Sequence, residues 1–391
     1  MSRYHSYINS AKNILGVYKG EEPFSSFLKK YFSGNRKYGS KDRKQISHLC
    51  YCFFRLGKAI MNLTIEEKLL IALFLCSEQS NEILAALKPE WNAKCDLPLN
   101  KKLLIINYSL LITEIFPWKE ELSEGVDHQK FCESFFIQPD LFLRLRPGKE
   151  KTVIEKLQQA GIDFKMTTEN CLVFPNASKI DQVIELDKEA VVQDHSSQRT
   201  GEFIKSEIDS RRPEISLWDC CAGSGGKSIM AYDINPKVGL TVSDTRENIL
   251  INLQKRFANA GIKNYKSIIA DLADPNFQFS TSNFQLVIAD VPCTGSGTWS
   301  RTPEQLYFFN EKKIDEYSRL QKKIVSNAIR QLQPGGTIVY ITCSVFRKEN
   351  EETVAFIQEN WHMELKQIET LKGYDNKADS MFVAVLSLPK N

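Results

Sequence analysis

The stretch Leu286-Val-Ile-Ala-Asp290-Val-Pro-Cys293-Thr-Gly-Ser-Gly-Thr-Trp-Ser300-Arg-Thr-Pro-Glu304 decides how the second half of the chain is read. Four apolar residues run directly into an aspartate, as in a buried parallel strand that delivers a carboxylate to the carboxyl edge of a sheet. Pro292 stiffens the exit, and Cys293 follows it. The Gly- and Ser-rich turn beyond suits a loop that must approach a flat ligand closely. Taken alone, the stretch also fits an ordinary strand end with a packed thiol. Fifty positions later, however, Ile338-Val-Tyr-Ile-Thr342-Cys343-Ser344 repeats the arrangement, a second apolar strand ending in a cysteine.

Working outward, strands and helices alternate from about residue 201, which predicts an α/β domain with an open, mostly parallel sheet. The strands are read at Ile215–Trp218, Val238–Val242, Lys266–Ile269, Gln285–Ala289, Thr337–Ile341 and Phe382–Leu386. Amphipathic periodicity places helices at Glu247–Ala260, Lys312–Leu332 and Lys348–Gln358, with Gly261 and Gly335-Gly336 at helix stops.

The first of these strands leads into Asp219-Cys-Cys221-Ala222-Gly223-Ser224-Gly225-Gly226-Lys227-Ser228, a strand, a glycine-rich loop and a helix start. That order lays an anionic or polar ligand across a helix N-terminus. The next strand ends at Asp244, where an acid grips ribose hydroxyls, and the third ends at Asp271, placed for an adenine edge. With Asp290, three consecutive strands end in carboxylates, which together predict adenosine binding; the competing reading makes them caps of the following helices. ATP fits poorly, because a phosphate-cradling loop needs a glycine where Cys221 stands. NAD fits poorly too, since Gly223-Ser-Gly225-Gly226 is not the dinucleotide spacing. S-adenosylmethionine is the expected cofactor, because it needs an adenosine site but no phosphate cradle.

The first 125 residues read as helical, with apolar residues at helical spacing through Tyr7–Tyr18 and Ile46–Phe54, and further helices at Glu66–Cys76 and Leu103–Phe116. Ser40 is the expected cap of a helix with Asp42 in its first turn. From about Pro139 a small α+β module follows. Its strand Asp140–Arg146 alternates apolar and basic, and Arg144, Arg146, Lys149 and Lys151 are expected to leave it basic. Between Lys29 and Lys58, nine basic residues (Lys29, Lys30, Arg36, Lys37, Lys41, Arg43, Lys44, Arg55, Lys58) face one acid, Asp42, with Tyr31, Phe32, Tyr38 and Tyr51 interleaved. Such a face is a footprint for a phosphate backbone, or else a solvated helix surface.

At 391 residues the chain is expected to hold two or three domains. No apolar run is long enough to span a bilayer, and Met1-Ser-Arg-Tyr-His carries no apolar leader, so a cytoplasmic protein without membrane partners is expected. Ten cysteines without regular spacing read as free thiols, and no cysteine–histidine spacing calls for a structural metal. His195 and the cysteines other than Cys221, Cys293 and Cys343 are expected to be packing residues.

With these residues in hand, the chain resembles the Sun/Fmu-type RNA cytosine-carbon-5 methyltransferases, in the RsmB-like branch. Asp219–Ser228 is similar to that family's D-x-C-A-A-P-G-G-K-T, Asp290-Val-Pro-Cys293 to D-x-P-C, and Thr342-Cys343-Ser344 to T-C-S. Gln193-Asp194 fits as well, and the likeness covers roughly 190 to 391. The loop departs at Gly223-Ser224, where the family has Ala-Pro, which leaves the backbone looser. The resemblance implies a Rossmann-like S-adenosylmethionine-dependent methyltransferase domain over 201–391. It implies a helical NusB-like RNA-binding domain over 1–125 before it, joined by the α+β module, 126–200. It further implies Cys343 as the nucleophile on carbon 6 of cytosine, Cys293 as the residue that releases the product, and Asp290 beside ring nitrogen 3. The expected cofactor contacts are Cys221, Ala222, Gly223, Ser224, Gly225, Gly226, Lys227, Asp244, Asp271 and Asp290. The target base must be unpaired or flipped, and Trp299, Arg301 and Thr302-Pro303-Glu304 are placed in sequence to stack on it or pair with it. Ribosomal RNA is the expected substrate. Transfer RNA and a non-catalytic role in ribosome assembly are the alternatives, and oligomeric state is left open with a monomer assumed.

Overall fold

The computed structural model describes residues 3–59, 62–106, 112–211, 214–279 and 283–390. It divides into two compact units, one made of 1–120, 127–138 and 298–310, the other of 121–126, 139–297 and 311–391. The α+β module therefore clusters with the large sheet, and the segment after the Pro-Cys loop clusters with the helices.

The helical unit contains α1 (Arg3–Val17), α2 (Phe24–Gly34), α3 (Ser40–Phe54), α4 (Ile65–Cys76), α5 (Glu82–Leu87), α6 (Pro89–Asn92), α7 (Leu99–Ile105) and α8 (His128–Ser134). Helix α4 starts at a reciprocal cap: Thr64 Oγ1 accepts from the Glu67 amide (3.2 Å) and Glu67 Oε2 accepts from the Thr64 amide (2.8 Å). Its residues Leu69–Leu75 are all buried, so it forms the middle of this unit. Gly39 rather than Ser40 holds the cap position of α3, with Asp42 reaching back to the Gly39 amide at 2.9 Å. Of the helix expected over Leu103–Phe116, residues 107–111 lie outside the described residues; what is described ends α7 at Ile105 and adds a short 3-10 turn, Ile112–Glu114.

The second unit opens with a four-stranded antiparallel sheet of β1 (Leu141–Leu145), β2 (Lys165–Thr168), β3 (Cys171–Phe174) and β4 (Ala190–Val192), in the order β2-β3-β1-β4. Helix α9 (Glu150–Gln159) covers one face through Val153 and Leu157. Helix α10 (His195–Asp209) follows, capped by Asp194 accepting from the Ser196 amide at 2.9 Å. The large sheet then runs through β5 (Ser216–Asp219), α11 (Gly226–Ile234), β6 (Gly239–Asp244), α12 (Glu247–Ala260), β7 (Tyr265–Ile269) and β8 (Phe284–Asp290). After α13 (Pro303–Phe308), which belongs to the helical unit, come α14 (Lys312–Ile329), β9 (Leu332–Thr342), α15 (Glu351–Trp361), β10 (Glu364–Leu371) and β11 (Met381–Ser387).

The seven strands lie in the order β10-β11-β9-β8-β5-β6-β7. Neighbouring strands from β7 to β9 are parallel, and β11 is inserted antiparallel beside β9. Chain order reverses between β5 and β8, which opens a crevice at their carboxyl ends. Apolar residues fill both faces: Leu217, Leu286, Ile288 and Val339 point to one, Trp218, Val287, Ala289 and Tyr340 to the other. That two-sided burial explains why these strands read as continuous apolar runs. Strand β10 was not foreseen, because it is an edge strand with only Leu371 buried, and Glu, Lys and Gln dominate its sequence.

Two expectations about charge are corrected. Arg144 and Arg146 are buried, not part of a basic surface: both pair with Asp233 of α11, at 2.7 and 2.6 Å. The outer face of β1 packs against another element instead of water, so the alternation of apolar and basic residues misled. In the helical unit, Lys29, Lys30, Arg36, Lys37, Lys41, Arg43 and Lys44 are exposed. Arg55, by contrast, is buried and donates to Ile137 O (3.1 Å), Gln138 Oε1 (2.7 Å) and Ser300 O (2.9 Å), while Lys58 donates to Tyr307 O (2.7 Å). These two side chains hold the 298–310 segment in the helical unit.

Candidate active site

Strand β5 ends at Asp219, and the loop to Gly226 turns sharply at Gly225, whose φ is +84°. A Cβ there would lie 2.8 Å from Phe257 Cε1 and 3.0 Å from Leu253 Cγ, so only glycine lets the loop settle on α12. Where the resembled family has proline, Ser224 is tied down by Arg256, which donates to its carbonyl and its Oγ, both at 2.9 Å. Asp187 holds Arg256 in turn, at 2.7 Å. The stiffness lost at Ser224 is thus regained through a guanidinium.

The crevice forms a cavity of about 320 Å³. Cys221, Ala222, Gly223, Ser224, Gly226, Lys227, Asp290 and Cys343, all expected site residues, line it. So do Asp219, Asp194 of the Gln193-Asp194 pair that the resemblance includes, and Ser197, Arg256 and Asp379, which were not expected site residues. Asp194 Oδ2 accepts from the Asp379 amide at 3.0 Å, so the start of α10 and the turn before β11 form one wall. Gly225, Asp244, Asp271 and Cys293 do not line the cavity. Asp244 accepts from the Gly223 amide at 3.1 Å and from Arg246 Nε at 2.9 Å. Burial works to raise the pKa of Asp244, but Arg246 outweighs it and holds the carboxyl below its usual range. Asp271 is exposed and caps its own turn, accepting from the Ala273 amide at 2.9 Å.

Lys227 is the electrostatic centre. Its Nζ donates to Asp290 Oδ2 at 2.7 Å and to Ser197 Oγ at 3.4 Å. Burial alone would lower its pKa, but Asp290, then Cys343, reverse this and raise it, so a cation is fixed in the crevice. Asp219 is buried, with Oδ2 accepting from Ser228 Oγ at 2.5 Å and Oδ1 without a hydrogen-bond partner. Burial pushes its pKa up to about 7.

Strands β8 and β9 are parallel neighbours with Asp290 opposite Ile341, so Cys293 and Cys343 leave the sheet side by side. The Cys343 amide donates to Cys293 Sγ at 3.3 Å, and both residues are half-buried. The neighbouring Cys343 thiol first, then burial, push the Cys293 thiol well above its ordinary range. A residue that sequence reading missed locks the two cysteine loops together. Glu349 is fully buried; its Oε2 accepts from the Thr294 amide (2.8 Å) and Gln321 Nε2 (3.1 Å), its Oε1 from Thr294 Oγ1 (2.6 Å) and Ser344 Oγ (2.7 Å). Burial raises its pKa while those donors pull the other way. Gly297 closes the same knot: its amide donates to Cys343 O at 2.8 Å, and a Cβ on it would lie 2.0 Å from Ser380 O. Nothing in the spacing of Glu349 marks it; only its position one turn before α15 brings it to both loops.

The expectation that Trp299 stacks on a target base is overturned. Trp299 is 1% exposed, packed within the helical unit against Phe309 (4.6 Å between centroids), Phe116 (6.0 Å) and Trp118 (6.4 Å). Glu304 is buried as well and accepts from the Phe24 amide at 3.2 Å, so that turn too is part of the helical core. His195 begins α10 with its ring tilted against Phe142 at 5.7 Å.

The strand order, the glycine turn at the switch point and the crevice define a Rossmann-like fold of the S-adenosylmethionine-dependent methyltransferase class. Two crystal structures share the fold: PH0851 (TM-score 0.68, 18% identity, 98% of each chain) and a methyltransferase homolog protein from Pyrococcus horikoshii (TM-score 0.58, 20% identity, 74% of this chain and 98% of that one). Residues 208–391 match the family model described as 16S rRNA methyltransferase RsmB/F. Ribosomal RNA small subunit methyltransferase B from Xylella fastidiosa strain Temecula1 is 29% identical over 218 residues, 54% of this chain and 48% of that protein. Its namesake from strain 9a5c is 28% identical over 249 residues, 60% of this chain and 57% of that protein. The likeness to this RsmB/F family covers the sheet domain, residues 208–391. It spans about half the length of the curated relatives it matches.

Proposed function

We propose that the chain is an S-adenosylmethionine-dependent RNA cytosine-carbon-5 methyltransferase acting on ribosomal RNA through a covalent cysteine adduct. The observation that carries this reading is the pair of thiols, Cys293 and Cys343, side by side at the ends of β8 and β9 with the Lys227–Asp290 ion pair next to them. The crevice suits the cofactor, since a Cβ on Gly223 or Gly226 would meet no atom within 4 Å, and the partnerless Asp219 Oδ1 offers an acceptor to a ligand ammonium. The relatives' name, ribosomal RNA small subunit methyltransferase B, supports the substrate class. The structure of NSun6 from Pyrococcus horikoshii with SFG has the same fold (TM-score 0.58, 16% identity, 71% of this chain).

Carbon 5 of cytosine is a weak nucleophile until a thiolate adds to carbon 6. Cys343, which lines the crevice together with Lys227, is the sulfur for that step. Its electron pair forms the bond to carbon 6, and the ring's π pair moves to carbon 5, with Asp290 beside ring nitrogen 3 to stabilise the adduct. Bound in the crevice, S-adenosylmethionine supplies an electrophilic methyl group. The hydrogen bond to Cys343, ahead of burial, is the largest influence holding the Cys293 thiol up, so the two sulfurs act as a pair. Cys293 then takes the proton from carbon 5, the carbon–hydrogen pair re-forms the ring double bond, and the Cys343 sulfur leaves. Adenosine recognition through Asp244 requires its carboxylate to exchange Arg246 for ribose hydroxyls.

The test is a denaturing gel of wild type, Cys293→Ala and Cys343→Ala with ribosomal RNA and S-adenosylmethionine. A slow-migrating RNA–protein species that accumulates only in Cys293→Ala is expected. Accumulation only in Cys343→Ala would reverse the two roles. Folded protein with neither adduct nor methyl transfer in any sample would sink the enzymatic reading.

A further inference from the structure

A second concave surface, about 310 Å³, lies away from the crevice between α14, α15 and the turn after β7. Lys322, Lys323, Ser326, Asn327, Arg330 and Phe356 line it, and no carboxylate does. Among the described residues, none of the three cations is in an ion pair. The more buried cations of this unit, Arg144, Arg146, Arg211, Lys227 and Arg256, are by contrast each neutralised by an acid.

Two of the three cations are nevertheless held in place. Lys322 Nζ sits 5.6 Å from the centre of the Phe356 ring, and the Arg330 guanidinium 5.5 Å from that of Trp361. Arg330 Nη1 donates to Asn327 Oδ1 at 2.8 Å, which leaves its other edge for a ligand. Asn327 Nδ2 donates to Leu272 O (3.0 Å) and Asp274 O (2.8 Å), fixing the opposite wall. The carboxylate of Asp274 is engaged elsewhere, accepting from the Asn276 amide at 2.9 Å. Two ammonium groups, a guanidinium edge and the Ser326 hydroxyl thus line one shallow site, with Phe356 in its wall. Phosphate oxygens match that donor set better than the flexible carboxylates of an acidic peptide.

We propose that this groove is a second RNA contact, gripping the phosphate backbone of a single-stranded segment outside the catalytic crevice. It rests on the reading that the chain acts on RNA. The link to the crevice is α14 itself: Gln321, next to Lys322, donates to Pro292 O of the cysteine loop at 3.0 Å. Backbone grip on α14 therefore bears on the helix that supports Cys293.

The experiment uses the full chain and a short fluorescent single-stranded RNA, with affinity measured across salt concentrations. Wild type is compared with the triple variant Lys322→Gln, Lys323→Gln, Arg330→Gln, and with Lys237→Gln, Lys263→Gln, two exposed lysines outside the groove, as a control charge deletion. Each phosphate contact adds about 0.7 to the salt slope on a single strand, so losing three lowers it by roughly 2 and weakens binding about tenfold or more. Circular dichroism and S-adenosylhomocysteine binding, unchanged in the triple variant, establish that it is folded. An affinity and slope equal to wild type in the triple variant overturns the groove and leaves the function standing. A slope change no larger than that of the control also overturns it. Wild type that binds no RNA overturns both. Polyglutamate displacing the RNA at equal charge concentration overturns it in favour of an acidic partner.

Discussion

Replacing Glu349 with alanine separates positioning from chemistry, because the side chain touches no reacting atom yet holds both cysteine loops. Four donors lose their acceptor: the Thr294 amide and hydroxyl, the Ser344 hydroxyl and Gln321 Nε2. At about 1 kcal/mol for each stranded donor, the cost is roughly 4 kcal/mol. For a unit of this size each kcal/mol moves the melting temperature by about 2–4 °C, so a fall of roughly 8–16 °C is expected. Loss of register between Cys293 and Cys343 lowers kcat as well, by about a hundredfold for a displacement on the order of 1 Å. Glu349→Gln is the discriminating variant. Its amide oxygen can take the two N–H donors now on Oε2, while the Thr294 and Ser344 hydroxyls rotate to accept from its NH₂. It should recover most of the melting temperature and of kcat, losing only the charge-assisted share, roughly 1–2 kcal/mol. The assays are thermal denaturation and single-turnover methyl transfer. Glu349→Ala with wild-type stability and kcat would refute the reasoning. So would equal damage in the Gln and Ala variants, which would mean that the charge rather than the acceptor geometry matters.

Asp219, with a folded-state pKa of about 7 against 3.8 unfolded, binds a proton in the folded protein over a range where the unfolded chain has released it. Stability of the ligand-free protein should therefore fall as pH rises from about 4 to about 7, by on the order of 4 kcal/mol. Asp219→Asn should flatten that slope in denaturation curves taken across the range; an unaltered slope would assign the titration to another group. Trp299→Ala should cost about 3–5 kcal/mol through the cavity left among Phe116, Trp118 and Phe309. Trp299→Phe should restore most of the thermal stability, whereas a residue that stacked on RNA would show its loss in RNA affinity with the melting temperature unchanged.

By itself the sequence determined the sheet domain. Strands β5, β6, β8, β9 and β11 were legible because they are largely buried and so read as apolar runs, and β7, an edge strand with no buried residue, from its place in the alternation of strands and helices. The glycine loop, Lys227, Asp290 and the two cysteines were legible because parallel strands send their functional residues to one edge, where local spacing suffices. Strand β10 was hidden by an exposed edge, and the inward turn of Arg144, Arg146 and Arg55 by acids and carbonyls far away in sequence. Tertiary structure alone decided three things. It moved Trp299 and Glu304 into the helical core, since aromatic partners and a free amide there outcompete solvent. It turned the carboxylates of Asp244 and Asp271 toward nearby donors, leaving both outside the cavity lining. It brought Glu349 to both cysteine loops, because a buried carboxylate is stable only where several donors converge on it, and that convergence spans Thr294, Gln321 and Ser344, residues that no local pattern connects.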